Sequence, residues 1–168
     1  MKIAELVKDL PVAPLAGYVG TKVMEPVSMK LYQWESEADR AREDAARPGP
    51  PYQIAADKTL RLVGVELEGP ARQRAGMGFH YGLAIGWAPV YALLRRTTQL
   101  SPVTAGLAAG AAMSLLVDEG ITPALRFSAP NRAYPLVTHL RGFAAHLVYG
   151  LAVAAVTETA WALLRRRP

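Results

Sequence analysis

What most constrains the folding of this chain is where its charges are missing. Ala75 to Leu94 carries none, with His80 as its single titratable group, and Thr97 to Val117 carries none at all. Gly142 to Leu164 is interrupted only by His146 and Glu158. A helix needs about 20 largely apolar residues to cross a bilayer, and each run is close to that length. The flanks agree. Trp87 and Tyr91 precede Arg95 and Arg96, and Trp161 precedes Arg165, Arg166 and Arg167, the order of aromatics and cations that a membrane interface favours. The middle run opens on Ser101 and Pro102, a helix-start signal, and stops at Asp118, Glu119 and Gly120.

A further candidate, Leu10 to Trp34, is uncharged as far as Thr21 and then carries Lys22, Glu25 and Lys30. A central charge costs about 2.5–3.5 kcal/mol on insertion scales, but Lys22 and Glu25 lie three apart on one helical face and can neutralise each other. The alternative for this segment is a tilted or interfacial helix. Nothing in it reads as a secretory signal, because the apolar run follows Lys2, Glu5, Lys8 and Asp9 without a small-residue cleavage site.

Between these candidates, residues 35–74 hold seven basic and eight acidic residues, and the stretch breaks at Pro48, Pro50 and Pro51. Alternating charge signs followed by prolines describe a solvated helix face and a turn, not the basic, aromatic-interleaved stripe of a nucleic-acid surface. After the prolines, Ala56, Leu60, Val63 and Leu67 recur at helical spacing opposite Asp57, Lys58, Arg61 and Glu66, so this part lies along a membrane or caps a bundle. The 168-residue chain has no cysteine, which excludes disulfides, thiolate metal sites and a cysteine nucleophile, and its net charge of +5 argues for no particular partner. The expectation is a single all-α membrane domain over 1–168: four transmembrane helices at about 10–34, 75–96, 102–120 and 140–164, with an amphipathic or capping excursion at 35–74. A soluble helical protein with a very apolar core is the rival.

Small residues four apart let helix backbones approach where lipid offers no hydrophobic drive. Gly78, Gly82 and Gly86 form one such ridge, Gly106 and Gly110 a second, Gly142, His146 and Gly150 a third, and Ala13, Gly17 and Thr21 a looser fourth. Antiparallel spans also bring Lys22, Glu25, His80, Asp118, Glu119 and His146 to the same half of the membrane. Ionisable residues within spans face the interior, a cavity or one another, so this layer is the candidate site. Imidazoles and carboxylates suit a metal or proton relay, and two histidines at one depth suit axial haem ligation. The structural alternative is that Asp118 and Glu119 end a helix at the interface and the histidines bond backbone carbonyls. No catalytic triad, phosphate loop or metalloprotease spacing is present, so no enzyme and no resident cofactor are expected.

The order of these features resembles the YagU-type family of small bacterial inner-membrane proteins. The resemblance rests on Lys22 followed by Glu25 and Pro26, on the GFHYG segment with His80 leading to Tyr91, on GLAAG leading to Asp118, Gly120 and Pro123, and on His146 before a basic tail. The chain departs from that pattern with Asp118 where a His is usual, Ala145 where a Gly precedes the last His, and a different segment after Glu25. The resemblance implies a polytopic inner-membrane protein without an assigned reaction. Lys2, Lys8, Arg95, Arg96 and Arg165 to Arg167 then favour cytoplasmic termini. The expected partners are the lipid bilayer and other membrane subunits or a second copy, and the expected role is an accessory or homo-oligomeric component. A metal-, proton- or solute-handling protein is the alternative.

Overall fold

The computed structural model describes residues 11–165, without the side chain of Arg165; the N-terminal charges Lys2, Glu5, Lys8 and Asp9 and the tail Arg166 and Arg167 lie outside the described residues. The described chain is all α-helical with no strand. In order it forms α1 (Ala13–Trp34), α2 (Glu37–Ala46), α3 (Pro51–Arg61), α4 (Gly69–Trp87), α5 (Pro89–Thr97) and α6 (Pro102–Ala112). A π-helix (Met113–Ile121), the single turn α7 (Thr122–Ala124), a 3-10 turn (Asn131–Ala133) and α8 (Leu136–Arg165) follow.

Proline explains the two interrupted runs. Pro89 cannot continue the hydrogen-bond ladder, so the helix opening at Gly69 breaks at Ala88 and resumes as α5. Pro123 likewise has no N–H for the carbonyl of Glu119, four residues earlier. The helix upstream widens into π geometry, and the side chain of Asn131 donates to that carbonyl at 2.9 Å. Ser36 and Ser101 cap α2 and α6 by accepting from Asp39 N and Thr104 N, both at 3.1 Å.

Four single unbroken spans are therefore not what the chain forms. Among the described residues one helix, at Leu136–Leu164, is long and apolar enough to cross a membrane. It begins earlier than the expected start at 140, taking in His139. The excursion at 35–74 is structured: it holds α2, α3 and the first turns of α4, which α3 packs against.

The long helix α8 is the centre of the molecule, flanked by α1 and α6, while α4 packs on α1. These contacts are backbone against backbone. A Cβ at Gly150 would strike the Gly106 carbonyl, and one at Gly110 would strike the carbonyl of His146. A Cβ at Gly17 would come within 2.6 Å of Ile85 Cα. The ridge Gly78, Gly82 and Gly86 behaves differently, as does Gly142: a Cβ at any of the four meets nothing within 4 Å. Gly78, Gly82 and Gly86 are exposed and pack against no helix within the described chain, whereas Gly142 is half-buried with open space at its Cβ position.

The interior is accordingly filled by small residues. Ala16, Ala84, Ala88, Ala105, Ala109 and Ala154 form most of the core, with Tyr91, Met113, Tyr149 and Val153 among them. Tyr149 reaches across to donate to Ala84 O at 2.5 Å. Large apolar side chains point out: Leu15 is 59% exposed, Met29 58%, Val103 59% and Leu116 58%. The core is thus built from small apolar residues, and many of the large ones lie on the surface.

Two predictions follow from packing and from the hairpin. Gly110→Ala is expected to destabilise the fold by about 1–3 kcal/mol through overpacking against backbone, whereas Gly78→Ala is expected to stabilise it by up to about 1 kcal/mol through helix propensity; thermal unfolding in detergent distinguishes them. Arg72 clasps Asp57 through Nε and Nη2 at 2.9 and 2.7 Å. Its hydrogen bonds hold the Asp57 carboxyl below the usual range, against a smaller opposing effect of burial. A lowered folded value means that the stabilisation is complete above the unfolded value and fades as pH falls through the folded one. Asp57→Asn is therefore expected to speed amide exchange in α3 at neutral pH by an amount worth about 0.2–1 kcal/mol, with the difference from the parent chain beginning to shrink only as pH falls below about 3.9.

Candidate functional site

Because α1 runs antiparallel to α4 and α8, and α6 antiparallel to α8, the C-terminal half of α1, the start of α4, the end of the π-helix and the start of α8 gather at one end of the bundle. All six predicted layer residues sit there, in three clusters. In the first, Lys22 Nζ lies 3.2 Å from Glu25 Oε2 and stands over the rings of Tyr18 and Tyr81 at 5.9 and 5.2 Å. Tyr81 donates to Glu25 Oε1 at 3.3 Å, and His80 Nε2 stands 3.7 Å from the same oxygen, beyond hydrogen-bond length.

In the second cluster, His146 Nδ1 faces two acceptors, Gly142 O at 2.8 Å and Asp118 Oδ2 at 3.3 Å. Two acceptors on one nitrogen assign a proton to Nδ1. The backbone bond is the structural role weighed for this histidine, and the carboxylate is an addition to it. The third cluster separates Glu119 from its neighbour Asp118: Glu119 Oε1 lies 2.8 Å from His139 Nδ1, and Asn131 O lies 3.1 Å from His139 Nε2.

Arg141 and its partners escaped the sequence reading. Its guanidinium bonds Glu35 Oε1 at 2.5 Å and both oxygens of Glu43 at 2.7 and 2.8 Å, and stacks over Tyr32 at 5.0 Å. Glu43, fully buried, also accepts from Arg47 and from Thr138 Oγ1, the latter at 2.9 Å. Glu35 Oε2 is buried without a hydrogen-bond partner. The signal available in sequence was Arg141 itself, a cation just inside the final apolar stretch that requires carboxylate partners. At the opposite end, Glu158 is neutralised in the same manner, by Tyr91 Oη and Arg95 Nε, both at 2.8 Å.

The network holds α2 as a cap over a cavity of about 430 Å³, whose floor includes Asp118, Glu119, His139 and His146 and whose roof includes Glu43 and Arg47, with Pro51 and Tyr52 at the start of α3 beside them. A second cavity of about 690 Å³, which shares Met24, Ser28, Arg47 and Arg141 with the first, is lined by Glu25 and His80. Metal binding fits this arrangement poorly: among the described residues no three His, Asp or Glu side chains are grouped to hold an ion. Haem fits no better at His80, where Glu25 stands before Nε2 and the Tyr52 and Tyr81 rings pack at 5.2 and 5.5 Å. What the site offers is a polar chamber with the His146 imidazole and a half-exposed carboxylate, Asp118.

No family model matches the chain, and no curated protein and no solved structure matches it either. The likeness to YagU-type proteins rests on the residues quoted above alone.

Removing Arg141 leaves two buried carboxylates without their shared counter-charge. Arg141→Met is expected to cost about 3–5 kcal/mol, and the combined Arg141→Met, Glu35→Gln and Glu43→Gln change to recover part of that loss. Denaturant unfolding of the single and triple variants measures both.

Proposed function

We propose that this chain is a polytopic membrane protein, placed in the bacterial inner membrane by its YagU-type resemblance, that serves as a non-catalytic subunit or homo-oligomer of a membrane assembly. The observation that carries the proposal is the inverted packing. Alanine and glycine close the interior while Leu15, Met29, Leu93, Val103, Leu115, Leu116 and Leu151 face outward. In water each such outward side chain forgoes about 1.5–3 kcal/mol of burial, whereas in lipid it forgoes nothing and small-residue contacts are what hold helices together. The runs α4 with α5, and α6 with the π-helix and α7, then cross as kinked spans whose interruptions are repaired within the bundle. In α1 the charges of Lys22 and Glu25 are matched by each other.

A second reading, handling of protons or small solutes, is favoured by one specific observation: Asp118, carried on a π-helix, a geometry often found at functional sites, meets His146 of α8 in the capped chamber.

The first experiment is fractionation. The protein is expected in membranes after an alkaline carbonate wash and in solution only with detergent; recovery in the aqueous fraction would overturn the proposal. Native mass spectrometry of the extract then separates the two roles. Stoichiometric copies or partner subunits that persist in Asp118→Asn and His146→Gln support the subunit reading. A lone chain whose phenotype is lost in both variants supports the second.

A further inference from the structure

The charges of the α3–α4 hairpin end at Arg74, and Ala75 opens the uncharged run. Two hollows meet at Leu60 across that boundary. On the uncharged side an apolar groove of about 530 Å³ runs between Ala56 and Leu60 of α3 and Ala75, Gly78, Gly82 and Leu83 of α4. The floor is open at Gly78 and Gly82, where a Cβ would meet nothing within 4 Å. From Ala75 to Gly82 it extends about 10 Å at 1.5 Å per residue. On the charged side a pocket of about 230 Å³ contains Asp57, Arg61, Glu66, Glu68 and Arg72.

We infer that this two-part slot binds a phospholipid with an amine-bearing zwitterionic headgroup, its acyl chain on the glycine floor and its headgroup among Arg61, Glu66 and Glu68. The inference rests on the membrane reading above, because only then does the groove lie at hydrocarbon depth and the pocket at the headgroup level. Charge complementarity selects the headgroup. Asp57 and Arg72 are committed to each other, which leaves one guanidinium for a phosphate and two carboxylates for an ammonium. An anionic headgroup without an amine would meet an excess of carboxylate. Arg61 and Glu66 are paired at 3.3 Å but are 66% and 75% exposed, and such a surface pair exchanges partners at a cost of about 0–1 kcal/mol. A second copy of α4 is the less fitting occupant. The glycine ridge is walled on one side by α3 from Ala56 to Leu60, which makes it a slot and not the open face that two packed helices share.

The test uses the full chain extracted from membranes in mild detergent, exposed to equal phosphatidylethanolamine and phosphatidylglycerol and read by native mass spectrometry. One retained lipid per chain is expected, with phosphatidylethanolamine favoured about tenfold, the effect of one charge-assisted hydrogen bond. Gly82→Leu places its side chain in the slot from a Cβ position that meets nothing within 4 Å, so it is expected to lose the lipid with its melting temperature unchanged or raised. Glu66→Gln with Glu68→Gln is expected to keep a lipid and lose the headgroup preference. Retention unaffected by Gly82→Leu, or a preference for phosphatidylglycerol, overturns the inference. So does a dimer that Gly82→Leu splits without altering lipid retention, which would assign the groove to a second copy. Each of these results comes from protein that required detergent, so the membrane reading survives them; recovery without detergent would instead remove that reading and the lipid site with it.

Discussion

The approach of α6 to α8 sets the terms for everything else in this fold. Where Gly106, Gly110 and Gly150 meet, carbonyl oxygens occupy the space that side chains would take, and neither helix can move apart without opening a void. The same economy of space holds where α1 meets α4 at Gly17 and Ile85, and where Gly20 lies against the Tyr149 ring. An interior closed in this way has little room for leucine, so leucine goes outside. The outward apolar surface is thus a consequence of how the helices pack, and the two observations do not need separate causes.

Helices packed this closely leave their polar groups few places to go. Buried Tyr149 finds a backbone carbonyl on α4, and Glu158 is matched by Tyr91 and Arg95 at one end of the bundle. At the other end the polar groups are too numerous for the helices alone, and the charged excursion supplies the missing partners. Glu35 and Glu43 converge on Arg141, Lys58 bonds the carbonyls of Leu125 and Arg126 at 2.9 and 3.1 Å, and the cap so formed encloses the chamber above Asp118 and His146. The charge-rich segment is therefore part of the architecture that makes a polar chamber possible at that end. A buried ion network of this kind gives little net stability, but it is intolerant of losing one member, which makes it a means of fixing the cap in one position.

The helical class was readable in the sequence, because it depends on the local pattern of charge; the six layer residues, expected in one layer, divide among three clusters whose membership that pattern does not report. Helix continuity was less readable. Pro89 and Pro123 were visible, but whether a proline ends a run or bends it depends on whether something else satisfies the freed carbonyl, and Asn131 does so from a turn eight residues beyond Pro123. The glycine ridges show the same limit. Gly106 with Gly110 and Gly78 with Gly82 have identical spacing, yet one pair meets a backbone and the other meets open space, because spacing defines a face and not its neighbour. Arg141, Glu35 and Glu43 were missed since their partnership joins segments roughly a hundred positions apart, and no local pattern reports such a pairing.

Lys22 shows how composition alone undervalues a helix. Counted by its charges, α1 is too polar to cross a bilayer unaided. In place, Lys22 meets Glu25 and two tyrosine rings, and Glu25 in turn accepts from Tyr81 beside His80. Lys22 and Glu25 remain 47% and 37% exposed, and a cavity that includes Glu25 and His80 opens beside them. On the membrane reading this cavity admits water to the depth of the pair, so the charges keep part of their hydration and the insertion cost falls well below that of an isolated lysine in hydrocarbon. This cavity and the polar half of α1 then account for each other: without the opening the helix could not hold its charges at that depth, and without the charges the opening would have little reason to stay hydrated.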